Sequence, residues 1–555
     1  MIQVLSFILD LCLTAGCLFL SVARGGNPGV DHLSEIFRPV ALAETVLVID
    51  PAGFSRDEYD VLVSLQGIRA REGKAELYLA EGNYNRYLEA YAAANPAQAF
   101  EAFAGTLWDL VERCAAEIPG RGYVIYDGDE KNPGINMAAT VAAAEGWLGV
   151  PARLAAQAEA AGLVCRRDLR EMEGTAAQRQ RALFKEYKDK LNPALVVHQP
   201  PDNARLRDFA IAQRAFCFYN SDTKNIAEYA REQRLCWDVF RWAKPNTSVF
   251  GVWGPAGEIP FVRKLSRASM HVLPADHLVN GSTLMGLRAS DPLKQPYQNR
   301  VMEPEPGKHY AALMLSDGDN LQWLAGGAFF NGFIADRIRS GDEFPLSFTY
   351  GPLMAELFPF VAQMHYGMLQ PGMQLICGVS GLGYTNLLTA PARNRAGYAR
   401  LTAQAMERAD LHAMQLLDGV AGKAFLNARA MRVIEAFAAQ ETIAGGIWYM
   451  DPDKYESGKG RFYRAGNGKP WVCNRLSFWS PDNSPATVTP EWIQSIADTI
   501  NAYPRDPGRA AGYSVINIHP WSIGYEDVRR LVSLLDDDIV LLSAEELLCI
   551  MYNVQ

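Results

Sequence analysis

The sequence predicts an α/β protein in which a C-terminal (β/α)8-like barrel is preceded by small α/β domains. Three observations carry this. Short apolar runs bounded by Gly, Pro, Asp or Asn alternate with longer amphipathic stretches through most of the 555 residues, the texture of parallel sheets crossed by helices. Eight such runs follow one another after residue 308, the number a (β/α)8 barrel needs. Most of those eight lead into Asp, Glu, His, Trp or Tyr, and ligands in such folds bind beyond the carboxyl ends of the strands.

Taken in order, residues 1–23 read as a secretory signal peptide. Val4 to Leu20 is mostly apolar, interrupted by Asp10, and Ser21-Val22-Ala23 is a small-x-small cleavage pattern. No later run approaches the roughly 18 apolar residues of a spanning helix. Export is therefore expected, with no stable membrane insertion after signal cleavage; an uncleaved membrane anchor is the less favoured alternative. A chain this long exceeds one core, and 49% hydrophobic with 21% charged residues is ordinary globular composition. A net charge of −9 without a basic stripe argues against nucleic acid as a partner. The nine cysteines form no C-x-x-C pair, so neither a zinc site nor a disulfide framework is expected. Several, such as Cys377 in LICGVS, read as small buried hydrophobes.

A first α/β domain, 44–116, opens with TVLVID, a helical Arg56 to Gly73, and AELYLA. A second, 117–190, starts with GYVIYDG and a helical Met137 to Trp147. The third, 191–290, contains ALVVHQP, FCFYN and SVFGVWG. Residues 291–308, with four prolines, read as a linker. From 309 to 555 the strand runs are AALMLSDG, PLSFTYGP, QLICGVSGLGY, HAMQLLDG, AGGIWYMD, WVCNRLSFWS, YSVINIHPW and IVLLSAEEL. A seven-stranded barrel stays open as an alternative, because the sixth run is long enough to bend.

The strand ends supply the candidate site. The first gives Asp317, Asp319 and Asn320, the second Tyr350 and Glu356, and the third Gly381, Gly383 and Tyr384. The fourth and fifth give Asp418, then Tyr449, Asp451 and Asp453. The last three give Trp479, then His519 and Trp521, then Glu545. Carboxylates interleaved with aromatic residues suit sugars, because aromatic faces stack on pyranose rings and carboxylates serve as acid and base in glycoside cleavage. The plainer reading of Asp317-Gly318-Asp319 is a turn that caps the following helix. Gly381 and Gly383 would permit positive φ or close approach of backbone to a ligand, with Tyr384 projecting into the mouth; the alternative is a tight turn. His519, before Pro520, should point out of the mouth in a hydrogen-bonding or proton-transfer role. The other histidines read as structural or surface. Trp253 and Glu258, in VFGVWGPAGE, are the expected N-terminal contributors.

Gly381-Leu382-Gly383-Tyr384 in CGVSGLGYTN, SDGDN at 316–320 and INIHPW at 516–521 together give the chain its family likeness. It resembles the GxGYxYP putative glycoside hydrolase family. The resemblance implies an exported bacterial protein with small N-terminal α/β domains before a C-terminal barrel-like domain. One departure is visible: the closing Tyr-Pro of the pattern is Asn386-Leu387 here.

The leading expectation is thus an exported glycoside hydrolase acting on a poly- or oligosaccharide. Asp317 or Asp319 would work with Asp451, Asp453 or Glu545 as acid and base or nucleophile. Asn320, Gly381, Gly383, Tyr384, Trp479, His519, Trp521, Trp253 and Glu258 would contact the substrate. No cofactor or metal is expected, and carbohydrate is the expected partner. Two alternatives remain. Asp317, Asp319 and His519 resemble the first and last motifs of metal-dependent polysaccharide deacetylases, without their H-x-x-x-H pair. A non-catalytic glycan-binding protein would keep the aromatic residues and need no carboxylate pair.

Overall fold

A computed structural model describes residues 30–221, 225–297, 299–300, 302–418, 428–450, 454–552 and 554. The expected signal peptide, residues 1–23, and Asp451 and Asp453 lie outside the described residues. Among the described residues no helix is long and apolar enough to cross a membrane.

Three small parallel sheets come first. Strands β1 (Ala41–Ile49), β2 (Lys74–Leu79) and β3 (Ala99–Ala102) lie in the order β2-β1-β3. Strands β4 (Gly122–Tyr126), β5 (Leu148–Pro151) and β6 (Val164–Asp168) lie in the order β5-β4-β6. Strands β7 (Leu195–His198), β8 (Phe216–Phe218), β9 (Ser248–Gly251) and β10 (His271–Pro274) lie in the order β10-β9-β7-β8. Strands β4, β5 and β7 to β10 are buried along their whole length, as continuous apolar runs covered on both faces should be.

The three sheets share one interior. Helix Arg56–Arg71 starts at a capping box, in which Ser55 accepts from the Glu58 amide and Glu58 answers to the Ser55 amide. Its Gly67 lies against helix Arg207–Ala212, where a Cβ would stand 2.7 Å from the Ile211 Cβ. Polar cross-ties lock the contact: Gln66 Nε2 donates to Asn280 Oδ1 at 2.7 Å, the Gly149 amide to Ser64 Oγ at 2.9 Å, and Asn136 Nδ2 to the Gln199 carbonyl at 2.8 Å. Buried polar groups that find hydrogen-bond partners in another unit give each sheet a fixed place.

The C-terminal part is a curled, mostly parallel sheet. Its strands are β11 (His309–Leu315), β12 (Leu346–Tyr350), β13 (Met373–Cys377), β14 (Ala413–Asp418), β15 (Gly445–Met450), β16 (Phe462–Arg464), β17 (Pro470–Cys473), β18 (Leu476–Phe478), β19 (Tyr513–Ile518) and β20 (Ile539–Leu542). The order is β16-β17-β15-β14-β13-β12-β11-β19-β18, and β20 also pairs with β11. All eight expected runs contain a strand, but they do not occupy eight equal positions. The sixth bends: β17 pairs with β15 and β18 with β19, while the amides between them donate to the Trp448 and Val515 carbonyls. The eighth, β20, pairs with His309–Ala312, the first half of β11, whose end at Met314 and Leu315 pairs with β12.

The described residues of 291–308 contain no helix or strand, yet they are fastened. Gln295 Nε2 donates to the Leu375 and Asp410 carbonyls at 3.0 and 2.8 Å, and Arg300 pairs with buried Glu546 at 2.8 Å. This stretch lies as a strap on the C-terminal sheet.

Candidate active site

The loop after β11 is built by contacts with its neighbour β12. The Gly318 amide donates to Thr349 Oγ1 at 2.9 Å, the same hydroxyl donates to the Leu315 carbonyl at 3.0 Å, and the Gly351 amide donates to the Gly318 carbonyl at 2.7 Å. Asp317 takes φ of 69°, a left-handed conformation that Asp tolerates better than most side chains. Asn320 caps the helix that begins at Leu321, its Oδ1 accepting from the Trp323 amide at 2.9 Å. Capping therefore belongs to Asn320, and Asp319 is not needed for it. That helix runs into a π turn at Leu324–Ala328, a feature common beside functional sites.

Burial sets the chemistry of the two aspartates. Burial first, and then the nearby Glu258 charge, push Asp317 up to about 6, against the Ser316 hydroxyl, 3.4 Å away, and the nearby Trp521 indole, both of which favour its charged form. Burial first, then Asp317, and less strongly Glu258, push Asp319 up to about 8. Like charges sharing a dry site cannot all ionise together, so one proton is retained at neutral pH. Glu258 is the first residue of helix Glu258–Arg267, entered through Gly257 at φ 93°. It arrives from the third N-terminal sheet, so the carboxylate group is assembled by two parts of the chain. Trp253 lies half-buried on the loop that leads to Glu258. Tyr449, at the end of β15, is fully buried and feels the Asp317 charge. Its hydroxyl has no hydrogen-bond partner among the described residues.

Aromatic rings continue from this point. Tyr449 stacks on Tyr455 with centroids 5.5 Å apart, Tyr455 meets Trp479 edge-on at 5.2 Å, and Trp479 lies flat on His519 at 3.6 Å with 5° between planes. His519 Nδ1 is 2.8 Å from Ser522 Oγ. Burial first, then the Lys454 charge, lower its pKa to about 4, so the imidazole is neutral where the aspartates titrate. Lys454, which nothing in the sequence singled out, donates to the Trp479, Ser480 and Pro481 carbonyls and holds the Trp479 loop. Trp521 is 52% exposed, the reverse of what an indole in a core would be.

Other expected residues stand elsewhere. Glu545 accepts from Asn299 Nδ2 at 2.8 Å, its amide donates to Gln374 Oε1 at 3.2 Å, and His412 and Ala413 act on its carboxyl. Gln374 and Ala413 mark the amino ends of β13 and β14, the opposite end of the parallel sheet from Asp317. Because β20 pairs with the lower half of β11, its end never reaches the mouth, and Glu545 cannot pair with Asp317. Gly383 and Tyr384 dock on the third N-terminal sheet: Tyr384 and Val272 of β10 exchange amide-to-carbonyl hydrogen bonds of 2.9 and 3.0 Å. Gly381, at φ 101°, turns the chain beside Thr402. Of the motif's glycines, Gly383 thus lies at an interface between units and Gly381 at a turn within the C-terminal part, and Tyr384 is 5% exposed at the interface. Asp418 accepts from the Leu388 amide at 2.9 Å and is buried.

Among the described residues no three His, Cys, Asp or Glu side chains form a group that could hold a metal ion.

Three family models match in order. The GxGYxYP_N second domain matches residues 120–191, the GxGYxYP third domain 193–286, and the GxGYxYP putative glycoside hydrolase C-terminal domain 307–551. No curated protein matches. Among solved structures, a putative hydrolase from Bacteroides thetaiotaomicron is similar over 96% of this chain and 98% of its own, with 22% identity and a TM-score of 0.78. That likeness is one of fold. A putative polysaccharide deacetylase from Mycobacterium smegmatis superposes with a TM-score of only 0.28 at 16% identity, over 44% of this chain and 92% of its own.

Proposed function

The chain belongs to the GxGYxYP putative glycoside hydrolase family, and from that premise we propose that it hydrolyses glycans at the carboxylates beside the end of β11. The observation that carries the reading is the separation of two neighbouring carboxyls, half-buried Asp317 raised to about 6 and buried Asp319 to about 8. Pairs pushed apart in this way divide into an acid and a base. Asp319, protonated at neutral pH, gives its proton to the leaving glycosidic oxygen. Asp317, ionised there, takes the proton of the attacking water or attacks the anomeric carbon itself. Glu258 keeps both values high and is the third carboxylate able to serve in the pair. The buried Tyr449 hydroxyl, which feels the Asp317 charge, is a candidate donor toward that carboxyl.

We read the curled sheet as the barrel of this enzyme, of the (β/α)8 kind, with the β17–β18 segment closing it and β20 as its eighth strand. Export by residues 1–23 fits a substrate met outside the cell. The test is a screen of purified protein against plant, host and microbial glycans, read in parallel for reducing ends and for acetate. New reducing ends that disappear with Asp319→Asn support the reading. Release of acetate without reducing ends overturns it in favour of a deacetylase, and binding without either product leaves a glycan-binding protein.

A further inference from the structure

We propose that an open cleft between the first and third N-terminal sheets and the helix after β11 is a subsite for a neutral sugar of the glycan chain. This rests on the reading of the β11 carboxylates as a glycan-hydrolysing site. The cleft has a volume of about 420 Å³, inside the range of small-molecule sites (roughly 300–1,000 Å³). It brings together residues distant in sequence: Glu81 and Asn83 follow β2, Arg205 follows β7, and Gln322, Trp323 and Trp521 come from the C-terminal part.

Its chemistry is that of a sugar site. Trp323 and Trp521 stand side by side with centroids 5.8 Å apart and planes inclined by 52°, an angled pair of aromatic walls. Large aromatic surface facing solvent is costly unless something covers it, and the C–H faces of a pyranose are the usual match for an indole. Polar groups line the rest. Arg205 is paired with Glu81, whose second oxygen accepts from Tyr59 at 2.8 Å. Gln322 Oε1 accepts from the His277 amide at 2.5 Å, which turns the amide end of that side chain away from its own helix. The charges of Arg205 and Glu81 cancel, so the lining suits hydroxyls and has no unpaired arginine for a uronate. Glycine supplies the opening. Gly327 on the π turn faces the cleft, and a Cβ there would meet nothing closer than Asn83 Nδ2 at 3.9 Å.

The cleft also communicates with the chemistry. Trp521 lines it and also lies near enough to Asp317 to favour its charged form. A ring stacked on Trp521 therefore lies next to the bond presented to the carboxylates. The N-terminal sheets, on this view, hold part of the substrate.

The test uses the full chain carrying Asp319→Asn, so that ligands persist, titrated by calorimetry and tryptophan fluorescence. Probes are neutral gluco-, manno-, xylo- and galacto-oligosaccharides, with oligogalacturonate as the acidic counterpart. At least one neutral series should bind, and adding Trp323→Ala should weaken it by about tenfold or more, as expected for losing a stacking surface. Gly327→Leu, which removes no contact and fills the cleft, should do the same with an unchanged melting point. Either variant binding as tightly as its parent overturns the subsite, as does the absence of binding by every neutral probe or preference for oligogalacturonate. The two readings separate cleanly. If Trp323→Ala and Gly327→Leu in the otherwise wild-type chain cleave long and short substrates unchanged, the subsite falls and the hydrolytic reading stands. If neutral probes bind in a Trp323-dependent way but no form of the protein cleaves them, the subsite stands without the chemistry.

Discussion

Gly318 lies flush against Thr349: its amide donates to the threonine Oγ1, and a Cβ at position 318 would stand 1.7 Å from the Thr349 carbonyl oxygen. No side chain fits at that distance, so the aspartates on either side of Gly318 hold their places only because the backbone can press onto β12. Gly318→Ala should therefore displace both carboxylates, lower stability by about 1–3 kcal/mol as overpacking does, and abolish hydrolysis. Urea denaturation alongside activity per folded molecule checks this. Wild-type activity in Gly318→Ala would refute the assignment of the loop.

Asp319→Asn retains the shape of the side chain and removes its titration. Turnover should fall by about a hundredfold or more, the usual loss for a positioned acid. Stability should move the other way. Because folding raises this carboxyl from 3.8 to about 8, the folded state binds the proton more tightly than the unfolded state. Stability from this group is complete below about pH 4 and drains away as pH rises to about 8. The variant escapes that loss, so its advantage over wild type should grow between those limits. Melting curves at pH 4, 6 and 8 measure it, and a variant less stable than wild type at pH 8 contradicts the assignment.

The pH profile of kcat/KM should be a bell. Its acid limb reflects ionisation of Asp317 near 6 and its alkaline limb deprotonation of Asp319 near 8, with both limbs properties of the coupled pair. Glu258 raises both groups, so Glu258→Gln should shift both limbs to lower pH, by about half a unit to one unit for a neighbouring charge. Limbs that stay in place would show that Glu258 does not act on the pair.

Gly383→Ala tests the interface reading of the glycine motif. A Cβ there would fall 2.7 Å from His271 Cδ2 and 2.8 Å from the Val272 carbonyl oxygen. The expected result is a loss of about 1–3 kcal/mol from strain between the units, with the pH limbs of kcat/KM unmoved. Full stability with a raised KM would instead return Gly383 to the substrate.

His365 links the first N-terminal sheet's helix to the C-terminal part. Its Nε2 is 3.1 Å from the Tyr87 hydroxyl, its Nδ1 is 3.1 Å from the Tyr350 hydroxyl, and Phe329 lies flat on the ring at 4.0 Å. Burial lowers its pKa to about 3, so the neutral ring donates to one tyrosine and accepts from the other. His365→Leu strands the buried Tyr350 hydroxyl, while Tyr87 keeps its bond to the Ala325 carbonyl, and should cost about 1–3 kcal/mol. Calorimetric unfolding checks it, and a change within about 0.5 kcal/mol, the range of ordinary surface substitutions, would refute the link.

The sequence by itself determined the alternation of strand and helix, the eight strand runs after residue 308, and the polar loop that ends the first of them. Each is a local property: burial of a parallel strand demands a continuous apolar run, and SDGDN cannot continue one. What neighbours each strand has is not local. The register that puts β20 on the lower half of β11 sends Glu545 to the far end of the sheet, though its sequence context matches that of a true strand end. The docking of Tyr384 on Val272 puts Gly383 and Tyr384 at an interface that a reading along one strand could not contain. Glu258 could be suspected from its loop, but its effect on Asp317 and Asp319 exists only because two sheets far apart in the chain meet. The pKa values follow from that meeting, since burial and like charge are set by what surrounds a carboxyl in space.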